Sequence, residues 1–287
     1  MDEQERMAER FEQSRRHLVA VAYRMLGSLS EAEDAVQETW LRYSRMNQSA
    51  VYNVEGWLTT VVSRICLDML RTRRSRHEEP MEEFMRMAHD EHSGGNPEQE
   101  ALLADSVGAA LQIVLGKLGP SERVAFVLHD IFALPFADIA AALGKSEEAV
   151  RQIASRARRR IRGGETGDEP RLARQREMVE AFLAAARDAD FGRLLAVLAP
   201  DVILRDDRQA GAVRTTQGAE QLAKQVAGRI QASHIVLVNG AIGVIVAPQG
   251  KLQYVLQYTI RDGRIAEVEL ISDPARISRL DLALPDI

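Results

Sequence analysis

The chain has 287 residues, enough for about two domains with cores of their own. Hydrophobic residues make up 46% and charged residues 28%, which excludes a fibrous or disordered chain. The net charge of −5 argues by itself against a nucleic-acid partner, but its distribution reverses that argument. Lys plus Arg minus Asp plus Glu is 0 over residues 1–75, −6 over 76–104, +3 over 105–163 and −2 over 164–287.

The start of the chain, MDEQERMAERFEQ, is polar and charged, unlike a signal peptide. Residues 10–75 then read as helical. Leu18, Val21, Ala22, Met25 and Leu26 fall on one face, and Gly27 ends that helix. Ser30 and Glu33 form an S-x-x-E capping box for a second helix that runs to about Ser44, with Ala35, Val36, Trp40 and Leu41 spaced for burial. A polar loop, Met46–Val54, leads to a long helix over Gly56–Arg74 that ends in a basic cluster. Cys66, the one cysteine, lies among Val61, Val62, Ile65 and Leu67. It reads as a small buried hydrophobe, with a redox sensor as the alternative, and a chain without disulfides points to a reducing compartment.

Residues 77–104 are acidic, carry Pro80 and Pro97 and centre on Gly94-Gly95, as a linker would. His89 and His92 have the spacing of a metal pair, but nothing nearby completes a ligand set, and no metal or other cofactor is expected.

Residues 105–163 are helical, with Pro120 at a helix start. Within them FADIAAALGKSEEAVRQIASRARRR has the spacing of a helix-turn-helix. Ala140 is small where two helices cross, Gly144 makes the turn, and Val150 anchors the second helix from inside. Ser146 sits at the N-cap. The second helix then exposes Glu148, Arg151, Gln152, Ser155, Arg156 and Arg159, side-chain types that bond base edges and phosphates in a major groove. A helical hairpin with a solvated basic face is the competing reading.

After residue 163 the pattern changes again. Two amphipathic helices over 171–199 carry Val179, Phe182 and Leu183, then Leu194, Leu195 and Leu198. Strands follow at Val202–Arg205, Ile235–Asn239, Ile242–Ala247, Leu252–Arg261 and Ile265–Leu270, and Asp262-Gly263 signals a hairpin. This order predicts an α+β domain whose sheet curls around its first helices. The apolar stretch Ile235–Pro248 is too short to span a bilayer, so no membrane partner is expected and the location is cytoplasmic.

Three ordered blocks, DAVQETWLR at 34–42, GWLTTVVSRICLDMLRTRRSR at 56–76 and residues 118–162, resemble the bacterial sigma factors of the extracytoplasmic-function (ECF) class. That resemblance implies two all-α sigma domains, region 2 over residues 10–76 and region 4 over 105–163, separated by an acidic linker over 77–104. It implies binding to core RNA polymerase, through its β′ and β subunits, and to promoter DNA. Asp34, Gln37, Glu38 and Leu41 would then face the polymerase, an acidic and amide stripe with an apolar edge. Asn53, Trp57, Arg64, Arg71, Arg73 and Arg74 would serve the −10 element. In the family Trp57 is mainly structural, and Met46–Asn53 contacts the flipped base. Ser146, Glu148, Arg151, Gln152, Ser155, Arg156 and Arg159 would serve the −35 element.

Residues 170–284, above all Glu180–Leu204, resemble the SnoaL-like, NTF2-like fold. An ECF group carries this domain fused to its C-terminus, where it regulates within the chain and makes a separate anti-sigma factor unnecessary. Three motifs of that group are altered here. HEEPMEEF stands for WLPEP, Asp207 to Gly211 stands for a DGGGK-like motif, and Asp273-Pro274 opens a partial NPDKL-like motif. A small-molecule ligand of this domain is left open. Asp206, Asp207, Tyr254, Tyr258 and His234 are its polar candidates for an enzymatic reading, which is not the expected one. The other alternative is a ligand-responsive helix-turn-helix regulator acting without polymerase, which would have no need of the Asp34–Trp40 block.

Overall fold

The computed structural model describes residues 3–46, 53–76, 106–163, 169–209 and 212–285. The helices of the first half are α1 (Glu3–Leu26), α2 (Leu29–Ser44), α3 (Val54–Arg76), α4 (Ser106–Gly116), α5 (Pro120–Phe126), α6 (Phe136–Leu143) and α7 (Glu147–Ile161). The second half contains α8 (Glu169–Arg187), α9 (Phe191–Val197), β1 (Leu198–Gln209), β2 (Ala212–Gln217), α10 (Ala219–Val226), β3 (Ser233–Val238), β4 (Ala241–Val246), β5 (Tyr254–Arg261), β6 (Arg264–Ile271), α11 (Pro274–Arg279) and β7 (Leu282–Ala283). Two compact units emerge. The first holds described residues up to 76 together with 115–158, and the second holds 106–114 and the described residues from 159 onward.

In the first unit, α1, α2 and α3 pack on one another. The apolar stripe of α1 is buried as its period requires, with Leu18, Val21, Ala22 and Met25 fully withdrawn from water. Gly27, at φ +80°, closes α1. It ends the helix so abruptly that Leu29 is already helical, and the N-cap is therefore Ser28, whose Oγ accepts from the Glu31 N–H at 3.4 Å. The capping pair lies two residues before the expected Ser30 and Glu33. The interior face of α2 differs in the same way. Ala32, Ala35, Val36, Thr39 and Tyr43 are buried, while Trp40 is half-buried and Leu41 is 41% exposed. Thr39 is tolerated inside because its Oγ1 donates to the Ala35 carbonyl at 2.8 Å. Helix α3 starts at Val54, two residues earlier than expected, because the Asn53 Oδ1 accepts the Gly56 N–H at 3.0 Å.

Helix α5 opens with Pro120 at its first position, and the Glu122 carboxylate accepts the Gly119 N–H at 3.0 Å. The helix widens to π geometry over Val127–Ile131. Helix α6 ends in Gly144 at φ +62°, ψ +40°, the left-handed conformation expected there, and the Ser146 Oγ accepts the Ala149 N–H at 3.3 Å.

The second unit is the expected mixed α+β domain. Its seven strands run in the order β2-β1-β6-β5-β4-β3-β7, with β1 and β6 parallel and the other pairs antiparallel. All five strands read from the sequence are present. The additional β2, α10, α11 and β7 lacked a signal because β2 is polar and the others are short. Asp262 at φ +51° and Gly263 at φ +70° form the predicted hairpin turn, and Asn239-Gly240 makes a second one between β3 and β4. Val179, Phe182 and Leu183 of α8, with Leu194 of α9 and Leu222 of α10, pack on one face of the sheet. Phe182 meets Tyr258 edge-on at 5.8 Å, and its burial contributes about 1.5–3 kcal/mol.

Gly243 on β4 has no room for a side chain. A Cβ there would lie 2.5 Å from Val238 Cγ2 and 2.9 Å from the Leu256 carbonyl oxygen. Gly240, at φ +79°, faces open space. Gly243→Ala is therefore expected to lower the melting temperature more than Gly240→Asn, because Asn tolerates the left-handed turn. Thermal unfolding followed by circular dichroism ranks the two, and the reverse order would contradict this packing.

Candidate nucleic-acid interface

Helix α7 is divided lengthwise. Val150, Ile153, Ala154, Ala157 and Ile161 are buried, while Glu148, Arg151, Gln152, Ser155, Arg156 and Arg159 are exposed, as is the cap residue Ser146. The seven side chains read as a −35 contact set thus share the wet side of one helix-turn-helix. Arg151 pairs with Glu147 and stands 5.5 Å from the centre of the Phe136 ring, which holds its guanidinium near the start of α7. Phe136 in turn stacks on His129 at 3.9 Å. Arg158 points the other way and pairs with Asp130 at 2.5 Å, tying α7 to the π-helical segment. Ala140, expected at a tight crossing, is half-buried, and Ile139, Ala142 and Leu143 fill the space beneath α6.

The residues read as a polymerase face also sit together on α2. Asp34, Gln37 and Leu41 are exposed, and Glu38 is held by Arg42 at 2.9 Å. The exposure of Leu41 departs from its expected burial but leaves an apolar edge beside the acidic stripe.

The −10 set is more scattered. Asn53 caps α3, as described above. Trp57 is half-buried and tilts against Tyr43 at 6.0 Å, joining Phe11 and Trp40 in an aromatic cluster, so it helps hold the three helices together. Arg64 donates to the Ala141 carbonyl of α6 at 2.6 Å. Arg71 and Arg74 are exposed, with Asp68 at 3.6 Å from Arg71. Arg73 is largely buried, pairs with Glu31 and donates to the Leu26 carbonyl at 3.2 Å, which places it at the C-terminus of α1. Residues 47–52 of the base-contacting loop, and His89 and His92, lie outside the described residues.

Cys66 is fully buried, and burial pushes its thiol up to about 12. It stays protonated at neutral pH, which favours the hydrophobic role over the redox one. In the second unit, the two altered motif segments meet. The Asp207 carboxylate accepts from the Ser272 N–H at 2.6 Å, the Ser272 hydroxyl at 2.9 Å and Arg276 at 3.0 Å, and Arg276 also reaches Glu269 at 2.5 Å. Asp273 caps α11 by accepting the Ala275 N–H at 2.7 Å, and Pro274 opens that helix. Gly211 lies outside the described residues. Ser272 and Glu269 belong to no motif read from the sequence, whereas Arg276 stands inside the partial NPDKL-like segment. Asp206 lies on the opposite side of β1 from Asp207, Tyr258 is buried in the core, and burial lowers the pKa of His234.

Comparison with known proteins shows the family. The Sigma-70 region 2 family matches residues 10–76, and the Sigma-70 region 4 family matches residues 109–161. The ECF RNA polymerase sigma factor SigJ of Mycobacterium tuberculosis is 33% identical over 296 residues, covering 93% of this chain and 92% of that one. The chain belongs to the ECF sigma factors. This sigma factor therefore works with core RNA polymerase to direct transcription initiation at promoter DNA, and its family is not one of enzymes. The crystal structure of SigJ aligns with 94% of this chain and 98% of its own, at 30% identity and a TM-score of 0.44. An NTF2-like protein of unknown function from Mesorhizobium loti aligns with 35% of the chain and 92% of its own, at 15% identity and a TM-score of 0.29. Among the described residues no helix is long and apolar enough to cross a membrane.

The two arginines near the end of α3 separate structural from exposed charge. Arg73→Ala leaves Glu31 without its cation and the end of α1 without a donor, and is expected to cost about 1–3 kcal/mol of stability. Arg71→Ala is expected to change stability by less than about 0.5 kcal/mol. Denaturant unfolding monitored by the fluorescence of Trp40 and Trp57 distinguishes them.

Proposed function

We propose that this sigma factor is restrained within its own chain, and that its C-terminal domain is the restraining element, with no separate anti-sigma factor required. The observation that carries this reading is the anchoring of the end of α7. The Leu284 N–H donates to the Ile161 carbonyl at 2.7 Å, next to the short strand that pairs with β3. Gly163, at φ +74°, fits there because it lacks a side chain; a Cβ would lie 2.9 Å from Leu237 Cδ1 and 3.1 Å from Ala283 Cβ. The last turn of α7 and the C-terminal strand are thus joined within the second unit, which supports the reading.

A second contact supports the same reading. In the first unit, α3 packs on α5 and α6, and Arg64 is spent on the Ala141 carbonyl. A helix assigned to the −10 element and a domain assigned to the −35 element cannot reach separate promoter sites while they are packed together. Polymerase docking, in this reading through Asp34, Gln37, Glu38 and Leu41, opens that arrangement and frees Arg64 for phosphate. The protein acts in the cytoplasm, where the polymerase is.

The test is promoter-directed transcription in vitro with core polymerase and the full chain. Gly163→Val drives a wedge against Leu237 and Ala283, and is expected to raise transcription by about fivefold or more, in the range of typical coupling energies. A chain ending at residue 164 should do the same. Unchanged transcription in both would overturn the regulatory reading.

Promoter reading is tested separately. Arg151→Ala and Arg156→Ala are each expected to weaken −35 recognition by about 1–3 kcal/mol if they bond base edges. Arg160→Ala, exposed farther along α7, is expected to weaken binding to all sequences alike and to reduce its salt dependence. Identical promoter selection after both the Arg151 and Arg156 changes would show that another surface reads the −35 element.

A further inference from the structure

The second unit contains a cavity of about 360 Å³ between α8, α10 and the sheet, in the size range of small-molecule sites. Its floor is apolar and comes from Phe182, Leu204, Leu256 and Val268. Its polar lining comes from Asp206, Arg214, Thr216, Gln225, Arg229 and Tyr254. Thr216 is buried, and its Oγ1 accepts from Gln225 Nε2 at 3.1 Å, which fixes that wall. Asp206 is also buried and has a partner of its own. Arg214 and Arg229 bring two guanidinium groups to the lining. Both are exposed, and neither forms a salt bridge with a described residue. Arg214 stands opposite Asp206 in the β1–β2 ladder.

We propose that this cavity binds a small organic monoanion with a largely apolar body, such as an aromatic or medium-chain carboxylate. Two cations against one engaged carboxylate leave a single positive charge in the lining, which a monoanion neutralises. A carboxylate suits the planar fork of Arg214 or Arg229, while the body of the ligand replaces water over Phe182 and Leu256. A neutral hydrocarbon would leave the arginines unused, and a cation would meet them as like charges. A dianion would carry charge toward Asp206. This site is independent of the regulatory reading above, since it is defined by the wall of the cavity and not by the end of α7.

The experiment uses isothermal titration calorimetry on the full chain with 1-naphthoate and its uncharged counterpart 1-naphthalenemethanol. Binding of 1-naphthoate is expected to be saturable at one site per chain, tighter than that of the alcohol, and weaker at high salt. Arg214→Gln and Arg229→Gln are each expected to weaken naphthoate about tenfold, in line with loss of a charge-assisted hydrogen bond, and to leave the alcohol unchanged. Both arginines are exposed, so the core is untouched by these changes. Val226→Trp, which fills the cavity from α10, should abolish binding of both compounds while circular dichroism remains native. The proposal fails if the full chain gives no saturable naphthoate binding. It also fails if the arginine variants bind naphthoate undiminished, or if a folded Val226→Trp chain still binds it. No arm of the test measures transcription, so failure of the regulatory reading leaves this result standing, and the reverse.

Discussion

The withdrawal of one side of α7 from water is the constraint on which the arrangement depends. Val150, Ile153, Ala154 and Ala157 must be covered, and a helix with a 3.6-residue period then has only one direction left for Arg151, Gln152, Ser155, Arg156 and Arg159. Gly144 sets the angle at which α6 gives way to α7, and Ser146 starts the new helix on time. Once those two residues are placed, the exposed side of α7 follows without further instruction. The ion pair between Arg158 and Asp130 then removes one cation from the exposed face and uses it to lock the helix down.

The difference between a structural and an exposed arginine lies in its neighbours, not in its spacing. Arg71, Arg73 and Arg74 form one basic run, yet Arg73 alone turns inward to Glu31 and Leu26. Those partners lie more than forty residues earlier, and a local pattern carries no trace of them. Arg64 is similar, since its acceptor on α6 belongs to another domain of the sequence. By contrast the stripe of α1, the turn at Gly144 and the five strands were legible, because each is decided by periodicity or by a single permissive residue. The shift of the cap from Ser30 to Ser28 shows the limit. Both serines satisfy the same local rule, and only the sharpness of the turn at Gly27 chooses between them.

In the C-terminal domain the altered motif segments proved to be neighbours. Asp207 from β1 is joined to Ser272 and Arg276 after β6 by three hydrogen bonds or ion pairs, and Arg276 makes a fourth to Glu269 of β6. Strands β1 and β6 lie side by side and parallel, so their ends arrive at the same edge of the sheet. That parallel pairing was not readable from the strands themselves, whose alternation is the same in either direction. The sequence therefore indicated the two segments and the fold class, but not that one arginine would connect them. The same holds for the cavity, whose cations Arg214 and Arg229 come from β2 and from the turn after α10, the stretch with the weakest sequence signal.

The hydrogen bond from Leu284 to Ile161 links residues about 120 positions apart, and a ribosome makes them in order. At about 5–20 residues per second, the carbonyl of Ile161 waits on the order of ten seconds for its donor to be synthesised. Through that interval α7 already has its turn, its cap and its buried face, all supplied by residues before 162. Each newly made molecule thus passes through a brief early period in which α7 is formed and its far end is untethered. The rate of translation through the β-strands sets the length of that period.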